Sequence, residues 1–177
     1  MTTLTEPRHI LALEQAMTWQ RDTLVRRANR TVLILSGARD RLKENQLRNV
    51  VNVAGEIGSI EGLLNFIRYQ IAREKAWQEK GNNTRDFGHQ VIEDIRTVVR
   101  GAAKQAAEKA KERLGGQVDE QVLFENAYLR LAEEYLGYLN RAFTYCEKYS
   151  EQKRGEGYDR LEKYVQIIKE GGRNATS

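Results

Sequence analysis

The chain has 177 residues, of which 40% are hydrophobic and 31% charged, and carries a formal net charge of +4. That composition excludes a disordered chain, and no stretch approaches the ~20 apolar residues of a membrane-spanning helix. A single cysteine, Cys146, excludes a disulfide framework within the chain, and a single proline, Pro7, argues against a turn-rich β-fold.

No apolar run follows the start, so no signal peptide is expected, and with one thiol a reduced, cytoplasmic setting is. Charge is unevenly spread. Residues 1–118 carry 20 Lys/Arg against 14 Asp/Glu, and residues 119–177 carry 9 against 11. The stretch 21–48 alone holds eight basic residues and three acids. A basic front and a mildly acidic back suit a polyanion on one side and a protein neighbour on the other.

In chain order, Pro7 suits the first position of a helix. Ile10, Leu13, Met17, Leu24 and Ala28 recur at helical spacing and predict one amphipathic helix, running toward Leu35 and stopped by Ser36-Gly37. A second helix starts within Asp40–Asn45, uses Leu47, Val50, Val51, Ala54 and Ile57, and falters at Gly58. Ser59 caps a third, with Ile60, Leu63, Leu64, Ile67 and Ile71 on one face and a loop from Gly81 to Thr84. Thr84 is the expected cap of a fourth, whose stripe is Val91, Ile92, Ile95, Val98, Val99, Ala102 and Ala106.

Gly115-Gly116 ends that helix, and Asp119 caps a fifth. From Val122 to Tyr149 the fifth is apolar nearly all round, which predicts a central position in a bundle or burial against another chain. Tyr158, Leu161, Tyr164, Val165 and Ile168 predict a short last helix. The fold class is therefore all-α, an antiparallel bundle of about five helices (1–150) followed by a short C-terminal helix and flexible tail (151–177).

Catalytic and metal chemistry finds little to work with. Glu6-Pro7-Arg8-His9 and Asp86-Phe87-Gly88-His89 are carboxylate-x-x-His spacings, but both lie at helix starts, where capping explains them. His9 and His89 are the only imidazoles, and no nucleophile-elbow, zinc-protease or P-loop pattern occurs. No cofactor is implied. The doublets Glu93-Asp94 and Glu133-Glu134 read as solvated helix edges, and Cys146 as a buried structural thiol.

The basic residues carry more. In Asn65-Phe66-Ile67-Arg68-Tyr69-Gln70-Ile71-Ala72-Arg73 no acid neutralises either arginine. At 100° per residue Phe66, Tyr69, Arg73 and Trp77 share one edge of the helix, with Arg68 and Lys75 on a neighbouring edge. The next helix carries a basic stripe, Arg96, Arg100, Lys104 and Lys111. The second helix opens with Lys43, Asn45, Gln46 and Arg48. The guanidinium fork suits phosphate oxygens, and Asn and Gln bond sugar or phosphate without reading sequence.

Three stretches together resemble the small helical subunit of type III CRISPR effector complexes, the Csm type. They are Lys43-Glu44-Asn45-Gln46-Leu47-Arg48-Asn49-Val50, then Tyr69-Gln70-Ile71-Ala72-Arg73, and the aromatic helix from Tyr135 through Phe143 to Lys148-Tyr149. In the first, Glu44-Asn45 stands where the family usually has Ser or Thr before the Gln. The resemblance covers residues 40–150.

It implies a non-catalytic, all-helical, RNA-binding subunit of a ribonucleoprotein complex for antiviral defence. Several copies would stack along the guide–target duplex, beside the complex's backbone subunits and large subunit. Arg48 and Arg73 carry over from the motif positions. Asn45 and Gln46 at a helix start, with Arg68, Lys75, Arg96 and Arg100 from helix geometry, complete the expected RNA-binding set. The alternative is an all-helical protein–protein adaptor that uses the aromatic fifth helix and no nucleic acid.

Overall fold

The computed structural model describes residues 4–81, 83–116, 118–152 and 156–174, with side chains described as far as Ile167. No strand occurs among them. The helices are α1 (Pro7–Thr18), α2 (Arg21–Val32), α3 (Glu44–Ile57), α4 (Ile60–Arg73), α5 (Phe87–Asp94), α6 (Arg100–Arg113), α7 (Glu120–Gln152) and α8 (Glu156–Asn174). A π-helical segment, Ile95–Val99, joins α5 to α6 in one continuous rod, 87–113.

The expected first helix is two. Gln20 N–H donates to the Met17 carbonyl at 2.9 Å, a tighter turn than an α-helix makes, and α2 restarts at Arg21. The Thr18 hydroxyl donates to Glu14 O at 3.0 Å, a side-chain bond that bends helices. The break lets α1 pack on α6 while α2 packs on α7, burying Leu13, Met17, Leu24 and Ala28 and leaving Trp19 outside. The apolar run Leu33–Leu35 then closes α2 as a 3₁₀ turn.

Several local signals act as expected. Pro7 opens α1, Ser59 Oγ accepts from Gly62 N–H at 3.1 Å, and Asp119 accepts from Gln121 N–H at 2.9 Å. Gly58 ends α3 in the left-handed conformation, φ 64°. The cap of α5 is Asp86 rather than Thr84. Its Oδ1 accepts from His89 N–H at 2.8 Å, because the carboxylate stands immediately before the apolar run.

The long helix α7 is the axis of the bundle. α1, α2, α3, α4, α6 and α8 all pack on it, and it buries Leu123, Leu131, Tyr135, Leu136, Leu139 and Phe143. The last helix is longer than the expected short one, 19 residues, and passes through Gly171-Gly172. It docks through Leu161 and Val165. At Gly157 the two backbones nearly touch, since an added Cβ would lie 2.1 Å from Cys146 O. Residues 175–177 of the expected flexible tail lie outside the described residues.

Asp94 corrects the reading of Glu93-Asp94 as a solvated edge. It is fully buried and accepts from Arg27 Nε (2.7 Å), Thr31 Oγ1 (2.5 Å), Tyr135 OH (2.6 Å) and Gln90 Nε2 (2.8 Å). The wider π turn that follows lets Val99, five residues on, face inward as Asp94 does. Burial works against the Arg27 charge, but the hydrogen bond and attraction of Asp94 outweigh it and raise the guanidinium pKa. Burial, then the charge of Asp94, push the Tyr135 hydroxyl well above its ordinary range.

Candidate nucleic-acid interface

Helix α4 buries Leu63, Leu64, Ile67 and Ile71 and turns Glu61, Asn65, Arg68, Tyr69, Ala72 and Arg73 outward. Arg73 Nη1 donates to Tyr69 OH at 2.8 Å with its guanidinium 5.9 Å from the ring centre, and Phe66 lies 6.1 Å from Tyr69. The aromatic–cationic flank therefore exists over Phe66, Tyr69 and Arg73. Trp77 does not extend it. α4 ends at Arg73, Glu74 is extended (φ −121°, ψ 112°), and the 100° phase stops applying. Trp77 instead enters the core on a 3₁₀ turn, 5.4 Å from Phe87.

The expected set falls into two groups. In the first, Gln46 Nε2 donates to Glu74 Oε2 at 2.8 Å, which ties the start of α3 to the end of α4. Gln46 Oε1 also accepts from Lys43 N–H at 2.8 Å and caps α3, so this side chain has a structural task. Asn45, Arg48, Arg73 and Lys75 are exposed around it. Arg48 pairs with Glu44 and Arg73 reaches Glu74 Oε1 at 3.5 Å. Both arginine side chains stay open to solvent, 59% and 63% exposed, so neither is sealed into an internal ion pair.

The second group, Arg96 and Arg100, stands on the rod 87–113 beside Tyr128 of α7. The Tyr128 hydroxyl donates to Ile95 O at 3.0 Å. Burial raises its pKa, Arg100 and Arg96 oppose the rise, and Glu61 adds to it. Glu61 at the start of α4 is thus near enough to Tyr128 to act on its hydroxyl, while Arg73 lies twelve residues on, ~18 Å along the helix. Arg68 stands between, on the same edge as Glu61 and seven residues from it. Among the described residues Arg68, Lys75, Arg96 and Arg100 are exposed and make no hydrogen bond or ion pair. Farther along the stripe, Lys104 is 4.0 Å from Glu108, and Lys111 is held by Glu120 at 2.9 Å.

The basic stretch 21–48 divides in the same way. Arg21 is held by Glu134 at 2.9 Å and Arg27 by Asp94. Arg26, Arg30, Arg39, Arg41 and Lys43 are exposed, with no ion pair among the described residues. Counting charges in this stretch does not reveal which five those are, because the carboxylates that hold Arg21 and Arg27 come from α7 and α5.

Each histidine faces the carboxylate of its own motif. His9 Nε2 lies 3.2 Å from Glu6, and His89 Nδ1 lies 2.8 Å from Asp86, which is already the α5 cap. No group of three or more potential metal ligands occurs among the described residues, and no described helix is long and apolar enough to cross a membrane. Compared with protein-family models, curated proteins and solved structures, the chain matches none of them.

Proposed function

We propose that the chain is a non-catalytic RNA-binding subunit of a ribonucleoprotein assembly, the role implied by its resemblance to the small subunit of type III CRISPR effector complexes. It contacts the phosphate backbone of a guide–target duplex without reading sequence. Several copies stack head to tail along the duplex, next to the backbone and large subunits. The observation that supports this reading is a set of cations, Arg68, Lys75, Arg96 and Arg100, exposed and lacking carboxylate partners among the described residues. Arg68 stands on α4, Lys75 directly after it, and the other two on the rod 87–113. Their backbone is already held by packed elements, so binding a phosphate costs only side-chain freedom, ~0.5–1.5 kcal/mol for each cation.

A titration of labelled RNA duplex at several salt concentrations tests it. Binding is expected to weaken steeply with salt, the slope of log K against log salt falling by about 0.9 for each phosphate contact removed. Replacing Arg68, Lys75, Arg96 and Arg100 together by Glu should leave the helical circular-dichroism signal in place and abolish most of that dependence. Unchanged affinity and slope in this variant would remove the basis of the reading.

A second reading, a helical adaptor for protein partners, is favoured by exposed Tyr145, Tyr164 and Ile167, which meet where α8 lies along α7. It predicts association that is nearly insensitive to salt and lost when Tyr145 and Ile167 are replaced by Ser.

A further inference from the structure

The basic rod shares a cleft with α7. Between α6 and the first turns of α7 lies a cavity of about 690 Å³, lined by Arg100, Gly101 and Lys104 on one side and by Glu120, Gln121 and Phe124 on the other. That volume falls within the roughly 300–1,000 Å³ of ligand clefts. Its charge is positive in effect. Arg100 has no ion-pair partner among the described residues, and Lys104 is 71% exposed with only a distant contact to Glu108. The one carboxylate of the lining, Glu120, is taken by Lys111 at 2.9 Å.

The wall opposite the cations is aromatic and fixed. Phe124 is half-buried, with its ring 5.4 Å from that of Tyr128, and Tyr128 is anchored to Ile95 O. Gly101 leaves its part of the cleft open, since nothing lies within 4 Å of a Cβ built on it. Arg100 and Lys104 stand one helical turn apart, a rise of ~6 Å, a spacing that suits consecutive phosphates of one strand.

An aromatic face opposite two cations one turn apart matches an unpaired nucleotide, whose base stacks while its flanking phosphates meet the cations. A duplex keeps its bases stacked on one another and has no use for Phe124. We infer that this cleft holds a single-stranded RNA segment, with a base on Phe124 and its phosphates on Arg100 and Lys104. The inference rests on the RNA-binding reading above and adds to it a distinction between unpaired and paired strands.

Fluorescence anisotropy on the full chain tests it, with labelled oligouridine of about twelve nucleotides as one probe and an RNA duplex of equal length as the other. Phe124→Leu keeps apolar volume and removes the stacking face. Gly101→Leu fills the cleft without touching charge or core, and so reports even where Phe124→Leu disturbs packing. Each variant is expected to lose about tenfold or more in affinity for oligouridine and to keep its affinity for the duplex. Oligouridine affinity unchanged in both variants, or equal losses on both probes, overturns the cleft assignment while leaving backbone binding in place. Failure of the unsubstituted chain to bind either probe overturns both readings.

Discussion

Two sets of arginines in this molecule differ in what faces them. Arg21 and Arg27 on α2 lie in the α2–α5–α7 contact and are clamped by Glu134 and Asp94, carboxylates more than sixty residues away in sequence. Arg68 on α4, and Arg96 and Arg100 on the rod 87–113, also stand on helical elements, yet they are exposed with no ion pair among the described residues. The first set holds helices together, and the second is available to something outside. The difference lies in the acids of other elements, and it can be broken from either side.

The largest effect is expected at the clamp. Asp94→Ala leaves the Arg27 charge partly buried without its partner and removes the acceptor of Thr31, Tyr135 and Gln90, at a cost of ~3–5 kcal/mol. Urea denaturation followed by circular dichroism reads it directly. A loss below ~1 kcal/mol would mean that the cluster is wetter and weaker than its geometry implies.

Next in size is the seam between α7 and α8. Gly157→Ala places a methyl group against the Cys146 carbonyl, a backbone atom that cannot swing aside, and is expected to cost ~1–3 kcal/mol. Limited proteolysis should then cut sooner on the C-terminal side of Gln152. α8 docks on α7 and α2, so RNA affinity is expected to hold.

The same seam carries a pH signature. Burial pushes the Cys146 thiol from 9.0 up to about 12, and burial with the nearby Glu147 raises the Tyr158 hydroxyl above its ordinary 10.0. Tyr135 is raised as well. Each group holds its proton more tightly folded than unfolded, so its contribution is complete below the unfolded pKa. It is lost as pH rises from about 9 through the folded value, by up to ~1.4 kcal/mol per pH unit for each group. Stability measured against pH should be flat near neutrality and fall above pH 9. Cys146→Ala should make the first part of that fall shallower.

Local chemistry made much of the fold legible. Pro7, Ser59, Gly58 and Asp119 mark helix ends through rules that need only neighbouring residues, and the nearly all-round apolar character of 122–149 identifies the central helix. What escaped depends on distant partners or on phase. The break at Trp19-Gln20 contains neither Gly nor Pro, and accompanies the packing of α1 and α2 on different helices. Asp94 looks like half of a solvated doublet until Arg27, Thr31 and Tyr135 are brought around it. Trp77 shares the Phe66–Tyr69 edge only if a helical phase continues past Arg73, where the helix ends. Outward-facing Arg68, Arg96 and Arg100 follow from periodicity, whereas the role of Gln46 as a cap and α4 tether, and the cleft that pairs Arg100 with Phe124, require the fold.

The smallest expected effect on stability sharpens the comparison most. Arg48 and Glu44 form an exposed pair one turn apart on α3, and such pairs contribute ~0.3–0.5 kcal/mol. Arg68, with no partner among the described residues, has still less to lose. Arg48→Ala and Arg68→Ala should therefore unfold within ~0.5 kcal/mol of the unsubstituted chain. Arg27→Ala, which strips a buried carboxylate of its cation, should cost several times more. If RNA binding instead tracks the exposed pair, falling with Arg68→Ala at unchanged stability, the two arginine sets separate by experiment as they do by geometry. A stability loss at Arg68 comparable to that at Arg27 would place Arg68 among the structural arginines and take it out of the candidate interface.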